Sequence, residues 1–225
     1  MNTSRFHRHD LVWLDPKIDA GLFAATAQSE MARDWVTQGL PLVVARQSAP
    51  PCIDAHQILL GFTLPSAPAR TRVSLRADRA AIIRHSRPLS LSDAMQHAPQ
   101  TWQPGMNLLL ALFERTGTVA RVYGSLSSQA FTGRHYLDAA SDLDLLFECS
   151  DASKLAELLA GLQGFPLQAP RIDGEILAAS GWAVAWRELA SALLTDNPRQ
   201  VLAKSDRESL LLTVDEFVQP FLVSA

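Results

Sequence analysis

The sequence predicts an α+β fold in two domains, a small N-terminal α+β domain over residues 1–87 and a larger domain over residues 88–225. The first observation behind this prediction is length, since 225 residues are enough for one large domain or two small ones. The second is composition, because 48% apolar and 19% charged residues are typical of a globular protein. The third is that strand patterns and helix patterns occur in both parts of the chain, without an internal repeat.

The bulk charge and the apolar pattern argue against several classes of protein. A net charge of -3 at pH 7 argues against a general nucleic-acid binder, and no stretch approaches the roughly 20 apolar residues that a membrane span needs. The N-terminus has no apolar signal-peptide core, and Cys52 and Cys149 are too few for a disulfide framework. We therefore expect a soluble, cytoplasmic protein that binds neither nucleic acid nor membranes.

The N-terminal domain is predicted from one helical pattern placed among strand patterns. Residues 8–16 are typical of a short strand that ends at a proline, and residues 18–38 of a helix. Residues 41–47 have the apolar run of a buried strand. Two extended segments follow, at residues 70–77 and 80–85. The predicted core positions of the helix and its end are Leu22, Met31, Trp35 and Leu40.

The larger domain alternates helices and strands around two short motifs. Its predicted elements, in chain order, are a helix begun by Ser92-Asp93, a helix over 106–115, strands over 118–123 and 141–148, a helix over 153–162, a strand over 170–178, helices over 184–194 and 197–204, and a short helix or strand over 215–222. The first motif, Gly-Ser, follows the strand at 118–123. The second motif, Asp-Leu-Asp, opens the strand at 141–148.

Asp142 and Asp144 lie two residues apart on the strand predicted over residues 141–148, so their side chains point to the same face. Leu143 and Leu145 alternate with them and point into the core. Two carboxylates this close repel each other unless a cation lies between them. Magnesium binds hard oxygen ligands and is usually held by one or two carboxylates and by substrate phosphates. The pattern therefore indicates a Mg2+ site, although an ordinary amphipathic strand also produces D-x-D.

Gly124 and Ser125 follow the strand at 118–123 and precede a predicted short helix or loop that runs through Phe131. Glycine allows the backbone to approach a phosphate closely, and a helix N-terminus offers free N–H groups to an anion. The Ser125 hydroxyl can donate a further hydrogen bond. This turn is therefore a candidate phosphate cradle, just before the candidate metal site.

The order of these motifs resembles the DNA polymerase β-like nucleotidyltransferase superfamily, in which Gly-Ser is followed by D-x-D on the next strand. That resemblance implies a nucleotidyltransferase-type mixed sheet with flanking helices, and a third carboxylate on a later strand. Asp173 and Glu175 are the candidates, two residues apart in RIDGEIL. We prefer Asp173, because an acid nearer the strand centre is better placed to face the metal pair, and Glu175 is the alternative.

Longer stretches of the sequence are similar to one family. They are RHDLVWL at residues 8–14, the W-V-x-x-G-L-P-L-V-V-A-R block at 35–46, YGS at 123–125, TGxxYLxxxSDLDLLFE at 132–148 and DGEILxxxGWAVAWRELA at 173–190. Together they resemble the malonate decarboxylase holo-acyl-carrier-protein synthases, also called phosphoribosyl-dephospho-CoA transferases, over nearly the whole chain. One departure is the Leu-Ser-Ser-Gln segment at 126–129, where an aromatic residue is expected.

The resemblance implies one reaction and its partners. The donor would be 2'-(5''-triphosphoribosyl)-3'-dephospho-CoA, and the acceptor would be a serine hydroxyl on the apo acyl carrier subunit of malonate decarboxylase. Attack on the α-phosphorus would release pyrophosphate and leave the prosthetic group in phosphodiester linkage. Two Mg2+ ions about 3.5–4 Å apart, with Mn2+ as the alternative ion, would serve this phosphoryl transfer.

The resemblance also implies a role for each residue of the two motifs and of the third-acid strand. Asp142 would bridge the two metal ions, and Asp144 would bind the same pair of ions. Asp173 would complete the metal site and help to take the proton of the attacking serine. Gly124 and Ser125 would hold the β- and γ-phosphates of the donor.

Arg134 and Tyr136 lie in the insert between the two motifs and are candidates for donor binding. The arginine suits a phosphate, and the tyrosine suits a ring or the ribose. The alternative for this insert is a solvated loop in which Tyr136 packs against the protein.

Two rival functions stay open at the level of the sequence. One is a nucleotidyltransferase that moves a nucleotide from an NTP to a small molecule or a protein side chain. The other is a non-catalytic nucleotide-binding assembly factor, against which the D-x-D pair and the third acid argue.

Overall fold

The computed structural model describes residues 6–17, 27–47, 56–65, 71–149, 151–166, 170–194 and 200–222. Over these residues the chain forms seven α-helices and two β-sheets, which confirms the α+β fold class. No helix in this part of the chain is long and apolar enough to cross a membrane, while the cytoplasmic location stays a prediction. The chain divides into two compact units. Unit 1 comprises Met1–Pro88, Phe131–His135 and Asp206–Glu208, and unit 2 comprises Leu89–Ala130, Tyr136–Ser205 and Ser209–Ala225.

Unit 1 combines one α-helix with a sheet of five antiparallel strands over its described residues. The elements are β1 (Leu11–Leu14), α1 (Ala27–Thr37), β2 (Leu42–Val44), β3 (Gln57–Leu64), β4 (Thr71–Asp78) and β5 (Ile82–Ser86), with a 3-10 turn at Arg79–Ala81. The sheet order is β4-β3-β2-β1-β5. In β4, Val73 and Leu75 are buried and alternate with exposed arginine and serine, the two-residue period of a half-buried strand.

The apolar core of unit 1 lies between α1 and one face of the sheet. Trp35 is 4% exposed, stacks on Phe62 with the ring centroids 4.3 Å apart, and donates from Nε1 to the Pro41 carbonyl oxygen at 2.8 Å. Its predicted place in the core is confirmed, and Leu40 packs half-buried against the same core. Met31 is 39% exposed, so its predicted burial is wrong. Helix α1 turns Ala32, Trp35 and Val36 into the core instead.

Strand β3 is the element of unit 1 that the sequence analysis did not predict. Gly61 interrupts its apolar run, and a Cβ there would lie 3.0 Å from the Val73 carbonyl oxygen. Glycine therefore permits the close pairing of β3 with β4, although it weakens the strand pattern in the sequence. The helix predicted over 18–38 is observed from Ala27 onward, and its earlier residues, including Leu22, lie outside the described residues.

Asp10, just before β1, is a fully buried carboxylate. Its Oδ2 accepts from the His7 backbone N–H at 2.9 Å and lies 2.8 Å from His85 Nε2, and its Oδ1 accepts from Arg87 Nη1 at 2.9 Å. A buried charge is tolerated when it is paired and hydrogen-bonded. Asp10 therefore ties the entry of β1 to the end of β5 and the residue that follows it.

From Leu89 onward the chain forms a seven-stranded mixed sheet and six helices over its described residues. The elements are β6 (Leu89–Ser90), α2 (Leu91–Ala94), α3 (Gln103–Thr116), β7 (Val119–Val122), α4 (Gly124–Thr132), β8 (Asp142–Glu148), α5 (Ala152–Gln163), β9 (Arg171–Leu177), β10 (Ala183–Ala185), α6 (Trp186–Leu193), β11 (Gln200–Lys204), β12 (Ser209–Thr213) and α7 (Val214–Leu222), with 3-10 turns at Met95–His97 and Gln100–Trp102. The sheet order is β12-β11-β10-β9-β8-β7-β6. Strands β8 and β9 are parallel, and the other neighbouring pairs are antiparallel.

The core of unit 2 includes residues of α3, α5 and α7 and one face of the central strands. Leu143, Leu145 and Phe147 of β8 are fully buried in it, which confirms the predicted inward position of the two leucines, and Leu146 is buried as well. Helix α2 begins at Leu91, one position before the predicted start, because the Ser90 hydroxyl accepts the N–H of the third residue of the helix and caps it.

Two helix predictions in unit 2 are corrected by strands β10 and β11. The sequence predicts a helix over 197–204, but the described part of this segment is strand β11. Val201 and Ala203 are fully buried and alternate with exposed neighbours, and this two-residue period belongs to a strand. The helix predicted from residue 184 begins at Trp186 instead, because the residues before it form β10.

Replacing Asp10 should destabilise unit 1 strongly. We expect Asp10→Ala to lower the free energy of unfolding by about 3 kcal/mol, because the His7 N–H, His85 and Arg87 lose the acceptor that this buried carboxylate provides. Urea unfolding followed by far-UV circular dichroism measures the change. The control is Asp34→Ala, which removes an exposed aspartate from α1 and should change the free energy by no more than about 0.5 kcal/mol. Equal losses in the two variants would contradict the role of the buried carboxylate.

Candidate active site

The paired acids open strand β8. Asp142 and Asp144 occupy its first and third positions, and both are half-buried on one face of the sheet, while Leu143 is buried on the other face. Parallel pairing with β9 aligns Asp142 with Arg171 and Asp144 with Asp173. Because aligned residues on neighbouring strands share a face, four charged side chains come together where the two strands begin.

Gly124 joins β7 to α4 and lies against the side chain of Asp144. Its φ is 68°, in the left-handed region that favours glycine. A Cβ at this position would lie 2.8 Å from the Asp144 Cγ and would overlap one carboxylate oxygen. The Tyr123 N–H, one residue earlier, donates to the Asp144 carbonyl oxygen at 3.1 Å. The turn at Gly124 therefore packs closely against Asp144 of β8, and a residue other than glycine would displace the Asp144 carboxylate.

The short helix predicted after the Gly-Ser pair is α4, which begins at Gly124 itself. The described first turn of α4 contains no acidic side chain, and Ser125, its second residue, is half-buried. The N–H groups of a first helical turn have no carbonyl partner within the helix, so they are suited to an anion. Phosphate binding at Gly124 and Ser125 stays a prediction.

The two candidates for the third acid have different surroundings. Asp173 is exposed, and its Oδ1 accepts from the Gly174 N–H at 2.8 Å. Glu175 is 7% exposed, and its Oε1 accepts from Lys204 Nζ at 2.8 Å. The carboxylate of Glu175 is thus already held by a lysine, whereas Asp173 is aligned with Asp144. The geometry favours Asp173, and its part in metal binding stays a prediction.

Arg171 is a charged residue of this cluster that the sequence analysis did not identify. Its Nε donates to Asp142 Oδ1, and its Nη2 donates to Asp142 Oδ2 at 2.5 Å. The hydrogen bond and charge of Asp142, followed by the charge of Asp173, raise the pKa of Arg171 above its ordinary value. The only local signal was the two-residue spacing of Arg171 and Asp173, because the contact with Asp142 depends on the register between two strands.

The side chains of the acid cluster show whether it could bind a metal ion. Among the described residues, no group of three or more His, Cys, Asp and Glu side chains is already arranged to hold a metal ion. The Asp142 carboxylate is turned to Arg171 instead. The set of oxygen ligands nevertheless fits Mg2+ or Mn2+, because carboxylates of two adjacent strands share one face of the sheet, and the absence of a Cβ at Gly124 leaves room for the Asp144 carboxylate among them. The metal assignment stays a prediction.

Arg134 and Tyr136, the candidates for donor binding, fall in different units. In unit 1, Arg134 Nη2 donates to Gln38 Oε1 at 2.6 Å, and its Cζ lies 5.7 Å from the ring centroid of Trp35. In unit 2, Tyr136 is 4% exposed, and its N–H donates to Gln129 Oε1 at 3.0 Å. The burial of Tyr136 is what the packed alternative expects, and donor binding by either residue stays a prediction.

Two family models match the chain in succession. The model described as phosphoribosyl-dephospho-CoA transferase MdcG N-terminal domain matches residues 7–88. The model described as phosphoribosyl-dephospho-CoA transferase MdcG C-terminal domain matches residues 90–215. No solved structure matches the chain.

Curated relatives named phosphoribosyl-dephospho-CoA transferase are similar to the chain over most of their length. The one from Xanthomonas campestris pv. campestris (strain 8004) is 35% identical over 206 residues, 91% of this chain and 93% of the relative. The one from Bradyrhizobium diazoefficiens is 34% identical over 217 residues, 94% and 92% of the two chains, and the one from Xanthomonas axonopodis pv. citri is 37% identical over 210 residues, 91% and 93%. The predictions of this family and of a transferase are thereby confirmed, and the chain belongs to the phosphoribosyl-dephospho-CoA transferase family.

Proposed function

We propose that this transferase moves the phosphoribosyl-dephospho-CoA group from 2'-(5''-triphosphoribosyl)-3'-dephospho-CoA to a serine of the apo acyl carrier subunit of malonate decarboxylase and releases pyrophosphate. The observation that carries the proposal is the alignment of Asp144 with Asp173 beside Gly124, in a chain of this family. Phosphoryl transfer depends mainly on positioning and on charge stabilisation, so an enzyme needs acids and an anion cradle rather than its own nucleophile. The described cluster supports such chemistry.

The proposed reaction exchanges one phosphorus–oxygen bond for another. The serine oxygen bonds to the α-phosphorus, and the bond between that phosphorus and the oxygen that bridges to the β-phosphate breaks. The bridging oxygen leaves with the β- and γ-phosphates as pyrophosphate. The serine hydroxyl loses its proton, and Asp173 would accept it on a carboxylate oxygen.

Asp142, Asp144 and Asp173 would hold two Mg2+ ions, with Mn2+ as the alternative ion. When bound, such ions neutralise the charge on the attacking oxygen and on the leaving pyrophosphate. The chain's own residues would fix the geometry, since the register of β8 and β9 and the turn at Gly124 hold the acids in place. The backbone N–H groups of Gly124 and Ser125 would donate to the β- and γ-phosphates.

Donor recognition outside the acid cluster is assigned to Arg134 and Tyr136. Arg134 donates one hydrogen bond from Nη2 to Gln38. Because a guanidinium carries five N–H groups, others remain for a phosphate of the triphosphoribosyl substrate. Tyr136, which is 4% exposed, is the second candidate, for contact with a ring or with the ribose.

Intact-mass measurement of the apo carrier subunit tests the proposed reaction. The carrier is incubated with this protein, the triphosphoribosyl donor and Mg2+, and in parallel with ATP in place of the donor. We expect a mass gain equal to the phosphoribosyl-dephospho-CoA group in the reaction with the donor, and no gain in the reaction with ATP. A gain of the size of AMP with ATP would identify the NTP-dependent alternative, and no gain in either reaction would favour the non-catalytic assembly factor.

Removing the charge of Asp144 should abolish most of the carrier modification. We expect Asp144→Asn to lower the rate on the order of 100-fold or more, equal to about 2.7 kcal/mol of transition-state stabilisation, because the amide cannot replace a carboxylate ligand. The rate is measured by the carrier mass assay under single-turnover conditions. Asp215→Asn is the matched control, since it makes the same charge change at an exposed residue of α7 and should keep the full rate. Full activity of Asp144→Asn would refute the assignment of this residue.

Adding a methyl group at Gly124 should disturb the acid cluster. We expect Gly124→Ala to lower the carrier-modification rate about 10-fold or more, because the Cβ displaces the Asp144 carboxylate. Gly117→Ala is the matched control, since Gly117 has a φ of 62° but nothing within 4 Å of its Cβ position. Both variants should lose about 1 kcal/mol of stability through backbone strain, whereas only Gly124→Ala should lose activity. Equal rates for the two variants would show that the close approach to Asp144 has no part in the reaction.

A further inference from the structure

Arg171 makes a two-point ion pair with one of the acids proposed to hold the metal. It is the first residue of β9, it is aligned with Asp142, and its side chain is 71% exposed against 21% for Asp142. Its Nε donates to Asp142 Oδ1 and its Nη2 donates to Oδ2 at 2.5 Å, so each carboxylate oxygen accepts one hydrogen bond from the guanidinium. This fork-to-fork geometry is the most specific way in which arginine binds a carboxylate.

The position of this ion pair is more informative than its strength. An exposed ion pair adds little to the stability of a fold, because water solvates both partners well. Asp173 shares one face of β9 with Arg171, and its charge adds to the hydrogen bond and charge of Asp142 in raising the pKa of the guanidinium. The guanidinium of Arg171 therefore lies in the field of the carboxylates that a divalent ion would use. A metal ion and this guanidinium compete for the same oxygens.

We infer that Arg171 neutralises Asp142 while no metal is bound, and passes to the triphosphate of the donor when a divalent ion takes the carboxylate. The inference rests on the proposed function and adds to it a residue that couples metal binding to polyphosphate binding. Only ion pairs are exchanged in this step, and no covalent bond changes.

Two features make a polyphosphate the fitting second partner for Arg171. A guanidinium group binds a pair of phosphate oxygens with the same two-point geometry that it uses on a carboxylate. In addition, the α4 N-terminus at Gly124 contacts Asp144, which shares its sheet face with Asp142 and Arg171. An anion held at that N-terminus would therefore lie on the same side of the sheet as the released guanidinium. The Arg171 side chain is largely exposed, so water can solvate the guanidinium while it moves from Asp142 to the phosphate.

The exchange has a thermodynamic consequence. A metal ion that binds alone must displace Arg171 from Asp142, whereas a metal ion that binds with a polyphosphate gives the guanidinium a new anionic partner. Each ligand should then strengthen the binding of the other by the same factor.

The first measurement is Mn2+ binding to the whole chain, with neither donor nor carrier present, followed by the loss of the free-ion EPR signal. Arg171→Gln removes the competing cation, and we expect Mn2+ to bind this variant about 10-fold more tightly than the unchanged chain. Arg171→Lys keeps the charge but loses the fork, so its Mn2+ affinity should lie between the two. Arg115→Gln is the matched control, since Arg115 forms an exposed ion pair with Glu157 at 2.8 Å and its loss should not change the affinity.

The results separate this inference from the proposed function. If the unchanged chain and Arg171→Gln bind Mn2+ with equal affinity, the competition does not exist and the inference alone is overturned. If neither binds Mn2+ at all, the metal part of the proposed function is wrong and the inference fails with it. Circular dichroism and thermal unfolding establish that the variants are folded, which the exposed position of Arg171 at the strand start favours.

The second measurement is calorimetric binding of inorganic tripolyphosphate in excess Mn2+. We expect Arg171→Gln to bind this probe about 10-fold more weakly than the unchanged chain, because the displaced guanidinium is its partner. Arg115→Gln should bind it normally. Unchanged tripolyphosphate affinity in Arg171→Gln would overturn the transfer to the donor, even if Mn2+ binding became tighter.

Discussion

The register between β8 and β9 is the constraint on which the candidate site depends. Leu143 and Ile172 are aligned and buried in the core, so neither strand can slip by one residue without turning apolar side chains out of it. The same register aligns Asp144 with Asp173. Gly174 follows with a φ of 152°, and a Cβ there would collide with the backbone of β8, so glycine keeps the two strands close at this point. The meeting of the acids is therefore a consequence of how the apolar residues between them pack.

Gly124 extends this constraint from the strands to the start of α4. Two independent requirements fall on this residue, a backbone conformation in the left-handed region and the absence of a Cβ beside the Asp144 carboxylate. The hydrogen bond from the Tyr123 N–H to the Asp144 carbonyl oxygen fixes the same turn from the backbone. The glycine motif and the acid motif, which are separate in the sequence, are thus one structural feature of unit 2. An anion at the α4 N-terminus and a cation at the acids would be neighbours for this reason.

The sequence predicts those elements whose signal lies within one segment. The alternation of acids and leucines within one segment predicts strand β8, its inward leucines, and the shared face of Asp142 and Asp144. The Gly-Ser pair after the preceding strand predicts the turn at the start of α4. Strand β11 does not, because glutamine, leucine, alanine and lysine also favour a helix, and only pairing with β10 and β12 makes this segment extended. The contact of Arg171 with Asp142 joins residues 29 positions apart, so it depends on a register between strands that no local pattern contains.

Two ion pairs that involve residues of β9 explain why Asp142 is suited to exchange partners and Glu175 is not. Glu175 is 7% exposed and bound by Lys204, which reaches it across the small alanines of β10. If a metal took Glu175, the lysine would be left without its partner in a partly buried place, which is costly. The pair of Arg171 with Asp142 lies at the exposed start of the strand, where water can solvate either group after separation. The sheet can therefore keep the buried ion pair of Glu175 while Asp142, at the exposed start of the strands, changes its cation. This difference in burial favours Asp142 and its neighbours, rather than Glu175, as the place where a metal and a polyphosphate would meet.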